Sequence, residues 1–206
     1  MLLCMNCLLN QQVKYYETIV LEELMKRAVF LDRDGTINIE KEYLYQTADF
    51  EFIPGTPKAI RLLNQAGFMV VVVTNQSGVA RGYYTEEDVE NLHRHIDREL
   101  ERFGAHIDAW LYCPHHPAGR GRYALPCDCR KPLPGMLQEA AACYDIDMAN
   151  STMIGDKLAD IEAGTAAGCR TILVRTGYGI TEEQQIGAET KVYDDLLSAV
   201  KSLSIF

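Results

Sequence analysis

The stretch FLDRDGTIN, residues 30–38, decides how the rest of the chain is interpreted. It begins with apolar residues typical of a buried strand and then turns polar, with two aspartates at Asp32 and Asp34. Residues i and i+2 at the end of a strand project to the same side, so these two carboxylates face one site. Close carboxylates repel each other unless a cation or a shared proton relieves them. The sequence therefore predicts a cation site where this strand ends.

Strand-like and helix-like segments alternate along the chain from Ala28 onward. The segment MVVVVTN, residues 69–75, is a continuous β-branched run, typical of a parallel strand covered on both faces. Further strands are predicted at residues 28–32, 108–113, 151–156 and 171–175, and helices at 56–67, 85–104, 134–144, 159–168 and 194–203. This alternation predicts an α/β fold, a mostly parallel sheet with helices on both faces.

Four polar clusters lie at or just after the predicted strand ends, with the sequences DRDGT, TNQSG, CDCRKP and GDKLAD. Ligands of open parallel sheets bind beyond the carboxyl ends of the strands, so we expect the four clusters to form one site. Asp156 adds a carboxylate to those of Asp32 and Asp34, and oxygen ligands of this kind suit Mg²⁺. Asp160, one helical turn later, could support the ion through water.

The same residues suit phosphoryl transfer. One aspartate can act as a nucleophile and form an aspartyl-phosphate, while the other protonates the leaving oxygen and then activates water. Lys131 is the candidate to neutralise the charge that builds up on the phosphoryl oxygens. Thr74, with the backbone N–H groups after it, can donate hydrogen bonds to those oxygens.

The order D-x-D-G-T, T-N, K-P and G-D-x-x-x-D resembles the haloacid dehalogenase (HAD) superfamily of phosphatases, over residues 28–179. The resemblance implies a Rossmann-like HAD fold with Asp32 as the nucleophile and Asp34 as the acid and base. It implies that Thr74 and Lys131 bind the transferring phosphoryl group. It also implies Mg²⁺ ligands at Asp32, the backbone carbonyl of Asp34, and Asp156.

Members of this superfamily often carry a separate cap domain over the active site. Here only 19 residues separate Thr36 from Thr56, and the second possible insertion point holds little more than a cysteine-rich loop. We therefore expect no large cap domain and an open site covered by short loops.

The cysteine-rich loop, residues 113–129, carries Cys113, His115, Cys127 and Cys129 in a C-x-H…C-x-C arrangement. Three thiolates and one imidazole are a recurring tetrahedral ligand set for Zn²⁺. Four protein ligands leave no open position, so we expect structural zinc that orders the loop. His116 could replace His115 if the loop turns differently, and a redox pair at Cys127 and Cys129 is the alternative interpretation.

This loop directly precedes Arg130 and Lys131, as it does in one small family of HAD phosphatases that includes heptose bisphosphate and histidinol-phosphate phosphatases. The segments TNQSGVARG (74–82) and GDKLAD (155–160), followed by LVRTG, resemble the heptose enzymes. The resemblance implies Mg²⁺-dependent hydrolysis of the 7-phosphate of D-glycero-D-manno-heptose 1,7-bisphosphate, a step in nucleotide-activated heptose synthesis. Histidinol phosphate is the alternative substrate.

A sugar bisphosphate carries a second phosphate, which needs cations away from the reacting group. The residues that the resemblance places against the substrate are Asn75, Gln76, Ser77, Arg130 and Lys157. Arg81 is a further candidate because arginine suits bidentate phosphate contacts, although it could instead pair with a surface carboxylate. The loop at residues 39–42, which follows the nucleophile, is expected to close over the sugar.

Composition limits the class of protein and its partners. The chain has 206 residues, of which 48% are hydrophobic, and a net charge of −9, which argues against a nucleic-acid or membrane partner. Seven cysteines without an export signal indicate a reducing compartment, so we expect a cytoplasmic protein. We expect a monomer whose partner is a small sugar bisphosphate.

The first 25 residues do not follow the strand–helix pattern. They contain a Cys4-x-x-Cys7 pair that has no partner pair nearby in the sequence and is expected to be incidental. We expect a single phosphatase domain over residues 26–206, preceded by an extension that is a mis-assigned start if translation begins at Met25. Intact mass of the protein from its native host tests this expectation.

Overall fold

The computed structural model describes residues 25–203, so the Cys4–Cys7 pair lies outside the described residues. The strands are β1 Ala28–Leu31, β2 Met69–Asn75, β3 Ala109–Cys113, β4 Thr152–Gly155, β5 Arg170–Val174 and β6 Lys191–Tyr193. The helices are α1 Thr56–Gln65, α2 Ser77–Arg81, α3 Glu86–Glu101, α4 Gly135–Tyr144, α5 Leu158–Ala166, α6 Gly179–Glu182 and α7 Leu196–Lys201. Short 3₁₀ turns occur at Thr47–Asp49, Gly121–Tyr123 and Glu183–Gln185.

The six strands form one parallel sheet in the order β3-β2-β1-β4-β5-β6. In register, Phe30 of the central strand lies between Val71 of β2 and Met153 of β4. All four residues of β1 are fully buried, as expected of a strand with neighbours on both edges and helices on both faces. The carboxyl ends of β1, β2 and β4 therefore lie side by side.

Helices cover both faces of the sheet, which confirms the predicted α/β architecture. On one face Val29 and Leu31 pack with residues of α1, α3 and α7 in a single apolar core. On the other face Phe30 packs with residues of α4 and α5 in a second core. Because adjacent strand residues point to opposite faces, an uninterrupted apolar strand such as β1 serves both cores.

Local sequence signals account for the helix boundaries. The side chain of Thr85 accepts a hydrogen bond from the N–H of Asp88, and Asp88 accepts one from the N–H of Thr85, which caps the start of α3. Pro57 lies in the first turn of α1, where its missing N–H costs nothing. The short elements β6, α2 and α6 were not predicted from the sequence.

The two candidate positions for a cap domain hold only loops among the described residues. Between β1 and α1 the chain forms one 3₁₀ turn, Thr47–Asp49, and isolated bridges. Between β3 and α4 it forms the cysteine-rich loop with the turn Gly121–Tyr123. Within residues 25–203, no helix has both the length and the apolar character required to cross a membrane.

Candidate active site

The carboxyl ends of β1, β2 and β4 open into a cavity of about 500 Å³. Residues from all four polar clusters, together with the loop after β1, line it. They include Asp32, Asp34, Glu40, Glu42, Tyr43, Thr74, Asn75, Ser77, Arg130, Lys131, Lys157, Asp160 and Tyr178. Asp156, which directly follows β4, is fully buried beside them. The structure thus brings the sequence-predicted residues together at one edge of the sheet.

Lys131 joins two carboxylates at the bottom of the cavity. Its Nζ lies 2.9 Å from Asp32 Oδ1 and 2.6 Å from Asp160 Oδ1, and it donates to the carbonyl of Val73 at 2.7 Å. Burial alone would lower the pKa of Lys131, but the charges of Asp160 and Asp32 outweigh it and raise this pKa above its ordinary value. Burial opposes ionisation of Asp32, yet Lys131 and Lys157 together lower its pKa. Lys131 and Asp32 therefore form a charged pair.

Asp160 was expected to support a metal ion through water. That role stays a prediction. The two oxygens of Asp160 also accept hydrogen bonds within the protein, Oδ1 from Lys131 and Oδ2 from the backbone N–H of Lys157 at 3.0 Å. The second contact caps α5, which explains why a carboxylate is needed at that position. Asp160 thus orients the lysine and the helix.

Asp156 has the features of a cation ligand. Its Oδ2 accepts a hydrogen bond from the N–H of Tyr178 at 2.9 Å, whereas its buried Oδ1 has no hydrogen-bond partner. Burial raises the pKa of Asp156 to about 8, and the neighbouring charges of Asp32 and Asp160 add to the effect of burial. Ligand oxygens of these three aspartates lie within 4.8 Å of one another. A hard divalent cation suits such an oxygen cluster.

The backbones of two glycines approach the Asp156 side chain closely. A Cβ on Gly35 or on Gly177 would lie 2.2 Å from Asp156 Oδ2, and both residues have positive φ, +86° and +56°. Gly35 belongs to the DRDGT cluster, and Gly177 follows β5. Only glycine combines this backbone conformation with such a close approach.

The second aspartate of DRDGT has its own set of partners. Asp34 accepts hydrogen bonds from Arg33, Asn38 and Gln76, and it lines the cavity. Asn75, by contrast, forms two hydrogen bonds with the backbone of Lys131. Its Nδ2 donates to the Lys131 carbonyl at 2.9 Å, and its Oδ1 accepts from the Lys131 N–H at 3.1 Å. Asn75 therefore fixes the lysine loop to the end of β2.

The predicted substrate-binding residues divide into two groups. Asn75, Ser77, Arg130 and Lys157 line the cavity. Gln76 is buried and bonded to other protein groups, and it is not among the lining residues. Arg81 is also absent from the lining; its Nη2 lies 3.3 Å from His116 Nε2. Within residues 25–203, no carboxylate forms an ion pair with Arg81.

Lys157 and Glu40 form an ion pair at the cavity wall, with Nζ 3.0 Å from Oε2. Burial would lower the pKa of Lys157, but Asp32, Asp156 and Glu40 raise it above its ordinary value. Burial raises the pKa of Glu40. Lys157 also lies 4.8 Å from the ring centroid of Tyr178, a cation–π contact. The loop after β1 thus reaches the cavity, as predicted for residues 39–42.

The cysteine-rich loop brings its four predicted ligands together. Cys129 Sγ lies 3.1 Å from Cys113 Sγ, 3.2 Å from Cys127 Sγ and 3.4 Å from His115 Nδ1. Tetrahedral zinc with Zn–S bonds of about 2.3 Å holds its ligand atoms roughly 3.5–3.8 Å apart. The separations within the cluster span 3.1 to 3.9 Å, close to that size. His116 lies outside this cluster. Arg130 Nη1 donates to the His115 carbonyl at 3.4 Å, which connects the cluster to the cavity.

Sequence reasoning did not find several residues around the site. Arg33, Tyr84 and Tyr178 were assigned no role. Arg33 lies between the two aspartates, where an alternating strand pattern points it away from them. No sequence signal shows that its guanidinium curls back towards Asp34.

The fold and this site define a hydrolase of the HAD type. In agreement, the sequence model of the HAD-hydrolase-like family matches residues 128–199, which include Lys131, Asp156 and Asp160.

Curated relatives show to which family of HAD-type hydrolases the chain belongs. The chain is 49% identical over 166 residues to the D-glycero-beta-D-manno-heptose-1,7-bisphosphate 7-phosphatase of Haemophilus ducreyi, covering 80% of this chain and 91% of the relative. It is 48% identical over 178 residues to the enzyme of that name from Escherichia coli strain K12, covering 84% and 93%. The chain belongs to the D-glycero-beta-D-manno-heptose-1,7-bisphosphate 7-phosphatase family.

A solved structure supports the same assignment. The D,D-heptose 1,7-bisphosphate phosphatase of B. bronchiseptica, solved with magnesium and phosphate, superposes with a TM-score of 0.79 at 37% identity, covering 86% of this chain and 97% of that one.

Proposed function

We propose that this chain removes the 7-phosphate of D-glycero-β-D-manno-heptose 1,7-bisphosphate and releases heptose 1-phosphate and inorganic phosphate. The observation that carries the proposal is the convergence of Asp32, Lys131 and Asp156 on one cavity in a chain of this family. The β anomer is proposed because the curated relatives carry it in their names.

Asp32 is the proposed nucleophile. Its Oδ1 is held by the N–H of Arg33 at 2.8 Å and by Lys131, which leaves Oδ2 for attack on phosphorus. As the new oxygen–phosphorus bond forms, the bond to the sugar C7 oxygen breaks and Asp34 gives that oxygen a proton. Asp34 then takes a proton from water, which attacks the aspartyl-phosphate and regenerates the Asp32 carboxylate.

Lys131 and Thr74 stabilise the phosphoryl group during both transfers. The ammonium of Lys131 already lies beside Asp32, so it also neutralises charge on the phosphoryl oxygens without moving far. Thr74 is 1% exposed and lies one residue before the end of β2 at the cavity, where its hydroxyl can donate to a phosphoryl oxygen. Neither group needs to reorganise during the reaction.

Mg²⁺ is the proposed cofactor, held by Asp32, the backbone carbonyl of Asp34, and Asp156. The unpartnered Oδ1 of Asp156 and the crowding of carboxylates fit a hard cation, and a related solved structure contains magnesium. When bound, the ion polarises the phosphoryl oxygens and offsets their negative charge.

The second phosphate and the sugar are proposed to meet the remaining cavity residues. Arg130 and Lys157 are cations on the cavity wall, and Asn75 and Ser77 line it beside Thr74. Arg81 lies outside the lining, and we propose that its charge, which acts on His116 together with that of Arg130, adds to the positive potential near the wall. Arg130 is the proposed partner of the 1-phosphate, since its guanidinium suits bidentate phosphate binding.

Zinc is proposed to hold the loop that carries Arg130. The ligands would be Cys113, His115 Nδ1, Cys127 and Cys129, which already cluster in the folded chain. Since Arg130 directly follows Cys129 and bonds the carbonyl of His115, zinc at this site fixes the arginine on both sides. We further propose that the enzyme acts as a monomeric domain in the cytoplasm.

The test is phosphate release by the purified protein with Mg²⁺. Both anomers of the heptose bisphosphate and histidinol phosphate are compared at matched concentrations, with Asp32→Asn as the blank. We expect the β anomer to have the highest kcat/KM and the blank to be inactive. Faster turnover of histidinol phosphate would overturn the substrate while leaving the aspartate chemistry in place.

A further inference from the structure

We infer that Gln76, Tyr84 and Arg33 form a cage that fixes the carboxylate of Asp34, and that Gln76 positions this acid and base instead of contacting the substrate. The inference rests on the proposed function, since it assigns Asp34 the proton transfers of a phosphatase. It adds three residues that lie behind the cavity and act through Asp34.

Asp34 is held by donors on both of its carboxylate oxygens. Oδ1 accepts from Arg33 Nη2 at 3.0 Å, from Arg33 Nε at 3.2 Å and from Asn38 Nδ2 at 3.0 Å. Oδ2 accepts from Arg33 Nη2 at 2.8 Å and from Gln76 Nε2 at 3.0 Å. A carboxylate offers about four lone-pair directions. These contacts therefore leave Asp34 little freedom to rotate at its place in the cavity lining.

Gln76 links the acid and base to the phosphoryl-binding threonine. Its Nε2 donates both to Asp34 Oδ2 and to Thr74 Oγ1, at 3.0 and 2.9 Å. Because the Thr74 oxygen accepts this bond, its hydroxyl hydrogen stays free to point at the phosphoryl group. Gln76 is 1% exposed, and its amide has all of its polar atoms engaged inside the protein. It has no group left to offer a substrate.

Tyr84 fixes the orientation of that amide. Its hydroxyl donates to Gln76 Oε1 at 2.7 Å, which turns Nε2 towards Asp34 and Thr74. Tyr84 reaches this point across Gly78, where a Cβ would lie 2.1 Å from the tyrosine ring. The glycine of the TNQSG cluster therefore makes room for the tyrosine.

Arg33 contacts both oxygens of the Asp34 carboxylate and is fully buried. Apart from Asp34, Nη2 donates to the Leu44 carbonyl at 3.1 Å, and Nη1 lies 3.4 Å from His93 Nε2. The His93 ring stacks on Trp110 at 4.1 Å between centroids. Burial lowers the pKa of His93 well below its ordinary value, and the arginine charge adds to this, so the neutral ring can accept from Arg33.

Fixing Asp34 matters because proton transfer requires the donor oxygen to lie within hydrogen-bond reach of the leaving oxygen. Misplacement of a catalytic group by about 1 Å can cost roughly a hundredfold in rate. Misplacement of Asp34 should lower the rate only for substrates whose leaving group needs a proton. An alkoxide such as the C7 oxygen of a sugar needs one, whereas 4-nitrophenolate departs as a stable anion.

The test compares kcat/KM for the heptose bisphosphate and for 4-nitrophenyl phosphate, because kcat/KM covers the steps up to leaving-group departure. For Tyr84→Phe we expect a loss of about tenfold with the sugar and less than about twofold with the aryl ester. For Gln76→Leu we expect about a hundredfold loss with the sugar, again with little change for the aryl ester. The inhibition constant of inorganic phosphate should be unchanged in both variants.

Tyr45→Phe is the matched control. Tyr45 stacks on Tyr84 with centroids 5.3 Å apart, but its hydroxyl bonds to Gln46 rather than to the cage. We expect wild-type values for both substrates. Equal losses with both esters in the Tyr84 and Gln76 variants, or weaker phosphate inhibition in Gln76→Leu, would overturn the inference. Wild-type protein that fails on the sugar but hydrolyses other alkyl phosphates would overturn the proposed substrate alone.

Discussion

At the scale of single residues, Gly35 controls how closely the first aspartate cluster approaches Asp156. Its φ of +86° turns the chain after Asp34, and its missing side chain leaves room for Asp156 Oδ2. The loop after β1 and the loop after β4, which would hold the cation, are therefore in contact at Gly35 and Asp156, with no side chain between them. A larger residue at position 35 must push Asp156 away.

We predict that Gly35→Ala raises the Mg²⁺ concentration needed for half-maximal activity by at least about tenfold, a cost of about 1.4 kcal/mol in ion binding. The added methyl group displaces Asp156. Magnesium titration of phosphate release measures this effect.

Gly82→Ala is the matched control, because Gly82 has a similar φ of +76° and nothing within 4 Å of its Cβ position. Both variants should lose roughly 1 kcal/mol of stability from the left-handed backbone. Only Gly35→Ala should change the magnesium requirement. Equal requirements in the two variants would show that the contact with Asp156 does not matter.

Placement at the site was predictable from sequence where a carboxylate or lysine lies at a strand end, as for Asp32 and Asp156. Side chains that act through contacts between distant segments were not. Tyr84 reaches Gln76 because α2 turns the chain back, and Arg33 reaches Asp34 by folding over the strand end. Periodicity carries no information about either contact.

At the scale of elements, the strand ends and the loops after them carry the site. Strands β1 and β2 were predictable because they are continuous apolar runs. Strand β6 was not, since it has three residues and is half exposed at the sheet edge. Helix α2 contains Gly78 and is only five residues long, so no helical period is visible in it.

For the cysteine-rich loop, we predict that loss of one zinc ligand releases the zinc and weakens substrate binding. In Cys127→Ser we expect zinc content to fall from about one ion per chain to near zero, because a ligand of the four-residue cluster is lost. The KM for the bisphosphate should rise by about tenfold or more, since Arg130 loses its fixed position and charge-assisted bonds are worth about 1.5–3 kcal/mol. Metal analysis and steady-state kinetics measure the two effects.

Cys143→Ser serves as the control for that experiment. Cys143 is an exposed thiol of α4 and is not part of the cluster. This variant should keep both its zinc and its KM. Wild-type protein purified without zinc, or a Cys127 variant that retains it, would contradict the proposed role of the loop.

At the scale of the whole molecule, the strand order places β1 and β4 side by side, so Asp32 and Asp156 meet although 124 positions separate them. The sheet thus gathers several buried carboxylates at one edge, and their mutual repulsion opposes folding without a cation. A bound ion should therefore stabilise the entire domain.

We predict that Mg²⁺ at about 100 times its dissociation constant adds about 2.7 kcal/mol of stability, an increase in Tm of roughly 5–10 °C. Asp156→Asn should abolish this shift. Without metal and above pH 8, where the Asp156 carboxylate is charged, that variant should be at least as stable as wild type, because one of the repelling charges is gone. Thermal unfolding with and without Mg²⁺ measures both effects.

An Asp49→Asn variant provides the comparison, since Asp49 is an exposed aspartate in the 3₁₀ turn away from the carboxylate cluster. It should keep the full magnesium shift. A shift that survives in Asp156→Asn would place the cation elsewhere.

We propose that Asp32 takes the phosphate from C7 of the heptose and leaves the anomeric phosphate in place. ³¹P NMR of the β-bisphosphate during turnover by wild type and by Asp32→Asn tests this proposal. We expect loss of the C7 phosphate signal, growth of inorganic phosphate and persistence of the anomeric signal, with no change in the Asp32→Asn sample. Loss of the anomeric signal first, or equal turnover by the variant, would contradict it.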